Sequence, residues 1–432
     1  MSVLAPGKIA YVNARLLDPA SGLDAKGSLV TDGEQIVAFG PGIKIPADAQ
    51  TIDCQGACLA PGLVDMRVQI CEPGEEHKET LLTAGEAAVA GGVTSMVCLP
   101  NTNPVIDDVA TVEFVARRAR KNGLAKVYPY AAATKELEGK ELSEIGMLTD
   151  AGALGFTDGT KAIKSAQMMR RLLSYAATFG AMIVQHPEEP SMAENGVMND
   201  GELATRLGLS GISPQAEAIM LERDMRLVAM TGGRYHAAHV STADGVEIIR
   251  KAKARGLSVT CDTAPPYFAL NELAVGDYRS FCKLSPPLRS EECRLAVVQG
   301  IKDGTIDAIA SDHTPQDQDS KRLPFAQAEF GGVGLETLLT VTLELYHNGI
   351  LTLLQVVERL SYGPAKLLGL AAGQLKQGAA ADLVIFDPDR AGRINPQDFH
   401  SKSKNSPFDG RPIQGRVLRT VVDGRSVFVA DA

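Results

Sequence analysis

Eight short apolar runs, separated by segments with helical spacing, constrain the fold of this chain more than any other feature. Segments such as "DDVATVEFVARRARKNG" and "SAQMMRRLLSYAATFG" separate the runs, with apolar residues three and four positions apart and glycine at the end, which is typical of amphipathic helices. Eight strands that are each followed by a helix make a (β/α)₈ barrel. We therefore predict an α/β fold of the TIM-barrel type. The strand candidates are "GLVDMRVQ", "GVTSMVCLPNT", "AKVYPYAAAT", "GALGFTDG", "AMIVQHPEE", "RYHAAHVST", "LSVTCDTAP" and "IDAIASDHTP".

Both ends of the chain have a different pattern from the middle. The first stretch includes "KIAYVNARLLDPASG" and "GSLVTDGEQIVAFGPG", and the last includes "ADLVIFDPDR" and "GRVLRTVVDGRSVFVADA". These are short strand-like runs broken by Gly, Asp and Pro, with Asp-Gly turn signals. We therefore expect both ends to be β-rich.

Composition and charge exclude several classes of function. The 432 residues carry a formal net charge of -9, which argues against nucleic acid or an anionic membrane as a partner. The 7 cysteines are scattered without a Cys-x-x-Cys pair, as expected for reduced thiols in a cytosol, and Cys54 and Cys58 are expected to be small buried hydrophobes. The N-terminus does not have the pattern of a signal peptide, and no apolar run is long enough to span a membrane. We predict a cytoplasmic protein.

Polar residues follow several of the predicted barrel strands. In barrels of this type, functional groups lie at the C-terminal ends of the strands. These residues are therefore expected to lie close together around the barrel mouth. They are Asn101, Asp158, His186, His239 and Asp312.

The stretch "PGLVDMRVQICEPG", residues 61–74, alternates polar and apolar residues. Successive side chains of a strand point to opposite faces. We therefore predict that the apolar set packs outward and that the polar set lines the interior or a site. The apolar set is Val64, Met66, Val68 and Ile70, and the other set is Asp65, Arg67, Gln69 and Cys71.

The chain resembles the dihydroorotases of the amidohydrolase superfamily over nearly its whole length. The motifs that carry the resemblance include "APGLVDMRVQICEPGEEHKET", "AAVAGGVTSMVCLPNTNPVID", "GFTDG", "QHPEE", "AHVST", "SPPLR", "ASDHTP" and "GAAADLVIFDP". The resemblance implies a small β-sandwich domain made of residues 1–57 with 372–432, and a barrel of residues 58–371. It also implies one or two zinc ions, since the reaction of that family uses a metal-bound water that loses its proton near neutral pH.

The family's metal ligands are a His-x-His pair on strand one, a carboxylate or carboxylated lysine on strand four, a histidine on each of strands five and six, and an aspartate on strand eight. By resemblance, His186, His239 and Asp312 match the last three of these positions, and Asp312 also matches the general base. The strand-one pair falls on Arg67 and Gln69. The strand-four carboxylate falls on Gly159, with Asp158 adjacent and a register that is uncertain by one residue.

The substrate-binding positions of the family are altered as well. Asn101 is retained, whereas Cys71 replaces an arginine, Ser285 an asparagine and Gln316 a histidine. Arginine offers only donors and stays protonated, so Arg67 cannot ligate zinc. We expect no cofactor, and we hypothesise that Arg67 pairs with Asp312 and replaces part of the charge of the metal.

These losses predict a catalytically inactive dihydroorotase-like chain of pyrimidine biosynthesis. Its pattern is similar to a non-catalytic branch of the family, including "KVYPYAAATKELEGKELSE". That resemblance implies a structural partner of the aspartate transcarbamoylase catalytic chain, as a homodimer or a larger hetero-oligomer.

Two alternatives remain open. One is an active cyclic amidohydrolase with a single zinc, because two histidines and an aspartate (His186, His239 and Asp312) form a legitimate catalytic ligand set. The other is a ligand sensor, in which Arg67, Asn101 and a cationic mouth hold an anionic metabolite such as carbamoyl aspartate. The segment 316–332 after strand eight is expected to be a loop over this mouth.

Overall fold

A parallel barrel of eight strands forms the centre of the computed structural model, which describes residues 7–431. Gln69 N donates to His313 O over 2.9 Å, and this bond closes the ring between the first and last strands. The predicted (β/α)₈ barrel is therefore confirmed. The barrel strands are Leu63–Val68, Val93–Cys98, Lys126–Pro129 continued by Ala131–Ala132, Phe156–Thr157, Met182–Gln185, Arg234–Ala237, Val259–Thr263 and Ala308–Ile309.

Helices follow the barrel strands and cover the outside of the ring. Several begin at a Ser or Thr whose hydroxyl accepts from a backbone N–H of the first turn, as at Ser165 and Thr242, which satisfies a donor that has no partner within the helix. The α-helices are Leu81–Ala90, Val109–Asn122, Ile145–Asp150, Ala166–Ala177, Pro190–Ala193, Glu202–Leu207, Gln215–Thr231, Ala243–Ala254, Pro265–Ala269, Glu291–Asp303, Gln318–Arg322, Leu338–His347, Leu353–Val357 and Gly363–Leu368.

Strands from both ends of the chain pair in a second sheet beside the barrel. The strand Cys58–Pro61 joins the two sets, because it pairs with Ile9–Asp18 on one side and with Leu383–Arg393 on the other. Strand pairing does not define a domain, so the division into residues 1–57 with 372–432 and residues 58–371 stays a prediction. In order across the sheet the strands are Arg425–Val429, Pro412–Val422, Leu383–Arg393, Cys58–Pro61, Ile9–Asp18, Leu23–Asp32 and Gln35–Gly40, with Gln50–Asp53 also paired to Ile9–Asp18.

The interior of the barrel corrects one prediction for strand one. Val64 and Met66 belong to a buried cluster with side chains of the opposite strands, such as Val184 and Ala310, so these two side chains point inward. The pairing register with strand two shifts between Asp65 and Val68. This irregularity breaks the strict alternation, so Met66 packs inside while Arg67 beyond it faces the mouth. The prediction that Val64 and Met66 pack outward is therefore wrong.

All seven cysteines are buried and have free thiols. Burial raises the pKa of Cys54 to about 11 and that of Cys58 to about 12, so both stay neutral and pack as small hydrophobes, as predicted. Within residues 7–431, no helix combines the length and apolar character needed to cross a membrane.

A candidate active site closed by an internal ion pair

The C-terminal ends of the barrel strands surround a cavity of about 350 Å³. Most of the predicted site residues meet in its wall, as expected from their places after the strands. Four predicted site residues do not line this cavity. Cys71 is buried, with a φ of 57°, because the chain turns away after Gln69. The other three are Gly159, His186 and His239, which contact Arg67, Asp312 or one another beside the cavity. The predicted residues that line the cavity are Arg67, Gln69, Asn101, Ser285, Asp312 and Gln316.

Arg67 occupies the centre of the site. Its Nε donates to Asp312 Oδ1 over 2.8 Å, and its Nη2 donates to the carbonyl oxygen of Gly159 over 3.3 Å. The Arg67 side chain is only 3% exposed and that of Asp312 13%. The hypothesised pair is confirmed, and one guanidinium joins strands one, four and eight across the mouth.

The two histidines of the predicted ligand set contact each other directly. His186 Nδ1 lies 2.7 Å from His239 Nε2, and His239 Nδ1 lies 3.1 Å from Asp312 Oδ2. If the neutral His239 ring donates from Nδ1 to the carboxylate, its Nε2 must accept a proton from His186. The result is a hydrogen-bonded row from His186 through His239 to Asp312 and Arg67.

The charges in this row are fixed by Arg67. Burial and the neighbouring Arg67 charge lower the pKa of His239 to about 4, so His239 is neutral at pH 7. Burial disfavours the Asp312 carboxylate, but His239 and Arg67 outweigh that effect and hold the pKa of Asp312 well below its usual range. Since Arg67 cannot lose its proton, it is the partner that keeps Asp312 ionised at neutral pH.

The residues present do not fit a zinc ion. Tetrahedral zinc bonds of 2.0–2.1 Å separate two ligand nitrogens by about 3.3 Å, whereas the histidine nitrogens lie 2.7 Å apart, at hydrogen-bond distance. The carboxylate of Asp312 is already bonded to a guanidinium, whose charge repels a cation. Within residues 7–431, no group of three or more His, Cys, Asp or Glu side chains is arranged to hold a metal ion.

Strand four supplies a carbonyl to the site instead of a carboxylate. Asp158 is turned away from Arg67, since its two oxygens accept from Thr134 N and Oγ1 over 2.9 Å and 2.6 Å. Gly159 has a φ of +68°, and a Cβ on this residue would lie 2.8 Å from Asn101 Oδ1. Any side chain at position 159 would therefore be strained and would collide with Asn101.

Three buried polar atoms of the cavity wall have no hydrogen-bond partner: Arg67 Nη1, Asn101 Oδ1 and Gln316 Oε1. The amide nitrogen of Gln316 is paired, since its Nε2 donates to Phe330 O over 2.8 Å. Gln69, also in the wall, donates from Nε2 to Thr314 Oγ1 over 3.4 Å. Unpaired buried polar atoms cost free energy unless water or a ligand pairs with them. The mouth therefore retains groups able to bind a small polar molecule.

The mouth is not cationic, contrary to the expectation for a sensor of anions. The wall includes the positive Arg67 and Lys78, but also Asp312, Glu75 and Glu329. Arg67 is neutralised by Asp312, and Lys78 Nζ lies 2.7 Å from Glu75 Oε1. The expectation of a cationic mouth considered the charge of Arg67 but not the charges of Asp312, Glu75 and Glu329.

Sequence reasoning missed Asp262 and Tyr267, which support the histidine row. Asp262, at the end of strand seven, accepts from His239 N over 2.6 Å and lies 3.0 Å from His236 Nε2. The ring of Tyr267 stands edge-on to His239. The carboxylate in "TCDTAP" at a strand end was a usable signal for Asp262, whereas nothing in the sequence distinguishes Tyr267. His236 is fully buried against strand seven and does not line the mouth cavity.

A barrel with histidines and an aspartate at its strand ends belongs to the class of amidohydrolases. The comparisons with known proteins, and not the barrel alone, define this class. The solved structure of the L-hydantoinase (dihydropyrimidinase) from Arthrobacter aurescens superimposes with a TM-score of 0.86 at 27% identity, over 98% of this chain and 97% of that one. Residues 56–245 match the model of the family described as "Dihydro-orotase-like", and residues 336–428 match that described as "Amidohydrolase family".

Curated relatives narrow the class further. The dihydroorotase of Anaplasma phagocytophilum is 45% identical over 98% of this chain and 96% of its own length. The dihydroorotase of Desulforapulum autotrophicum is 43% identical over 97% and 99%. The chain belongs to the dihydroorotase family of the amidohydrolase superfamily, and is thus a dihydroorotase-like protein of pyrimidine biosynthesis.

Proposed function

We propose that this chain is a non-catalytic dihydroorotase that serves as a structural partner of the aspartate transcarbamoylase catalytic chain. The observation that carries the first half of this proposal is the Arg67–Asp312 pair, 2.8 Å long and almost fully buried. The family reaction needs a metal-bound water and a carboxylate free to act as base. Here the carboxylate is bonded to a guanidinium that also excludes a cation.

The binding residues support the same proposal. Cys71, in the place of a carboxylate-binding arginine, lies outside the cavity wall, and its thiol is kept neutral because burial raises its pKa to about 12. Ser285 and Gln316 remain in the wall, but neither carries a charge. A dicarboxylate such as carbamoyl aspartate would meet no unpaired cation except one N–H of Arg67.

The partner role rests on the resemblance and on the extent of what is preserved. The chain aligns over 98% of its length with the dihydroorotase of Anaplasma phagocytophilum at 45% identity, so the whole folded domain is retained while the strand-one ligand positions carry Arg67 and Gln69. A folded subunit without a site can still stabilise a partner by binding only its assembled form. Symmetric assembly with catalytic trimers is the natural geometry for such a role.

A single-zinc amidohydrolase is the second candidate, and one observation favours it. His186, His239 and Asp312 lie in one hydrogen-bonded row, so the three retained positions are brought together. To bind zinc, the two histidines would have to separate and Asp312 would have to exchange the guanidinium of Arg67 for the ion. Zinc content measured on the purified chain distinguishes the candidates directly.

The test is dihydroorotase turnover of the purified full-length chain in excess zinc, with and without transcarbamoylase catalytic chains. We expect no turnover in either case, less than a tenth of an equivalent of bound zinc, and co-elution with the transcarbamoylase chains in size-exclusion chromatography. Zinc-dependent turnover would contradict the loss of catalysis. Separate elution at micromolar concentrations, with transcarbamoylase activity and thermal stability unchanged by the mixture, would contradict the partner role independently.

A further inference from the structure

A second cavity, of about 420 Å³, lies on the outer side of the loop that covers the mouth. We call residues 316–332 the mouth loop. Its short helix Gln318–Arg322 forms one wall, and segments 395–397 and 402–405 form the other. Basic side chains converge on this cavity from both walls. They are Lys321 and Arg322 from the mouth loop and Lys402 and Lys404 from the opposite segment.

This concentration of positive charge opposes the charge of the chain as a whole, which is -9. The cavity wall contains only two carboxylates, Asp317 and Asp409. Asp317 already accepts from Asp319 N and Ser320 N over 3.0 Å and 2.9 Å, at the start of the short helix. Lys402 Nζ donates to Glu76 O over 2.6 Å, and Lys404 Nζ donates to Phe399 O and Ser401 O. Within the described residues, these two ammonium groups therefore have carbonyl partners but no carboxylate partner.

Lys321, one of the four basic residues of the cavity, is buried in the protein. It is only 2% exposed, and its Nζ donates to the carbonyl oxygens of Glu329 and Lys283 over 2.7 Å and 3.4 Å. Lys283, also buried, donates to Ala326 O over 3.0 Å and lies 4.5 Å from the centre of the Phe330 ring. Within the described residues 7–431, neither ammonium forms a salt bridge. A buried cation without a counter-charge is costly, and burial together with the Lys283 charge lowers the pKa of Lys321 to about 7.

We propose that this cavity is a binding site for the phosphate group of a small phosphorylated metabolite, held by Arg322 and Lys402. Arg322 supplies a guanidinium that suits the paired oxygens of a phosphate, and Lys402 supplies an ammonium from the opposite wall. Lys321 Nζ is bonded to two carbonyl oxygens of residues outside the cavity wall, so Lys321 is not counted as a contact of the phosphate. The cavity volume admits a phosphate and a small organic group but excludes a folded partner.

A phosphate bound by both Arg322 and Lys402 joins the short helix of the mouth loop to the segment 402–405 opposite it. Within the mouth loop, Lys321 Nζ ties the short helix to the Glu329 carbonyl, and Gln316 lines both the outer cavity and the mouth cavity. Gln316 in turn donates to the carbonyl oxygen of Phe330, which also lines the mouth. A phosphate that fixes the short helix thus restrains both ends of the mouth loop.

The test uses inorganic phosphate and ribose 5-phosphate as probes of the full-length chain, by isothermal titration calorimetry at ionic strength held constant with potassium chloride. We expect saturable binding of both probes. The double variant Arg322→Gln/Lys402→Gln is expected to bind each about tenfold or more weakly, because two charge-assisted contacts are lost. Both side chains are exposed, so the variant keeps its fold.

The matched control is Lys376→Gln/Arg170→Gln, which removes two exposed positive charges away from the cavity and should bind as the wild type does. Absence of saturable heat, or equal affinity of both double variants, would overturn the proposal. Tighter binding of malate than of phosphate would overturn the assignment to phosphate. Hydrogen exchange of residues 316–332 should slow when phosphate is added, and unchanged exchange would refute the link to the mouth loop.

Discussion

Removal of Arg67 is the perturbation whose consequence the site geometry defines most sharply. Arg67→Met keeps an unbranched apolar stem but removes the guanidinium with its bonds to Asp312 and to the Gly159 carbonyl. Removing one partner of a buried ion pair costs about 3–5 kcal/mol, because the other charge stays buried and unpaired. Asp312 is 13% exposed and keeps its contact with His239. We therefore expect a loss of about 3 kcal/mol at pH 7, at the lower end of that range.

The second half of the experiment separates the charge effect from simple loss of packing. In Arg67→Met/Asp312→Leu both charges are absent, so most of the stability should return, giving a coupling of about 2 kcal/mol or more in a double-mutant cycle. Urea unfolding followed by circular dichroism measures each variant. The exposed pair Arg15–Asp24, with side chains 40% and 34% exposed, is the matched control and should give a coupling of about 1 kcal/mol or less. If Arg67→Met unfolds as the wild type does, or if the two losses simply add, the account of an internal counter-ion is wrong.

Three further predictions concern the same region. Arg67→His/Gln69→His should bind about one zinc per chain by elemental analysis, because two imidazoles replace the excluding guanidinium. Gly159→Ala should lower the free energy of unfolding by about 1–2 kcal/mol, since φ is +68° and the new Cβ would lie 2.8 Å from Asn101 Oδ1. The pKa of Lys321 is about 7 in the folded chain and 10.5 in the unfolded chain. Between these pH values the unfolded chain binds more protons than the folded chain, so the free energy of unfolding rises with pH. Relative to Lys321→Met, the wild type should gain about 2 kcal/mol between pH 7 and 9 in urea unfolding.

Each of these has a clear contrary result. A metal content of the double-histidine variant equal to that of the wild type would show that the retained histidines cannot take part in a zinc site. An alanine at position 159 without cost would mean that Asn101 moves freely. A wild type and a Lys321→Met variant with parallel pH profiles would mean that Lys321 titrates normally.

The barrel could be predicted from the sequence because its strands are local patterns. All eight apolar runs became barrel strands. Of the polar residues at their ends, Asn101 and Asp312 line the mouth cavity, whereas Asp158 and His186 line a neighbouring one. The Arg67–Asp312 pair was also predictable. The resemblance placed both residues at ligand positions of one metal centre, and an arginine, which cannot ligate metal, can supply the positive charge that pairs with the carboxylate. Neither inference depended on fine details of pairing between strands.

The predictions that were wrong concern features that depend on contacts between distant parts of the folded chain. The inward packing of Val64 and Met66 follows from a register shift between strands one and two, which alternation within one strand cannot reveal. The charge of the mouth depends on Glu75 and Glu329, which are 254 positions apart by their numbers and reach the wall only in the closed fold. Lys283 and Lys321 likewise look like ordinary surface lysines in the sequence, and only the folded mouth loop buries them.

The contacts of Arg67 also determine how a zinc site could arise at this mouth one mutation at a time. Replacing Arg67 alone leaves Asp312 and the Gly159 carbonyl without their donor, and a new carboxylate at position 159 would meet Asn101. Each single step towards a zinc site therefore begins by destabilising the barrel, before any ion can be bound. The stability that the guanidinium supplies thus opposes a stepwise path to a metal centre.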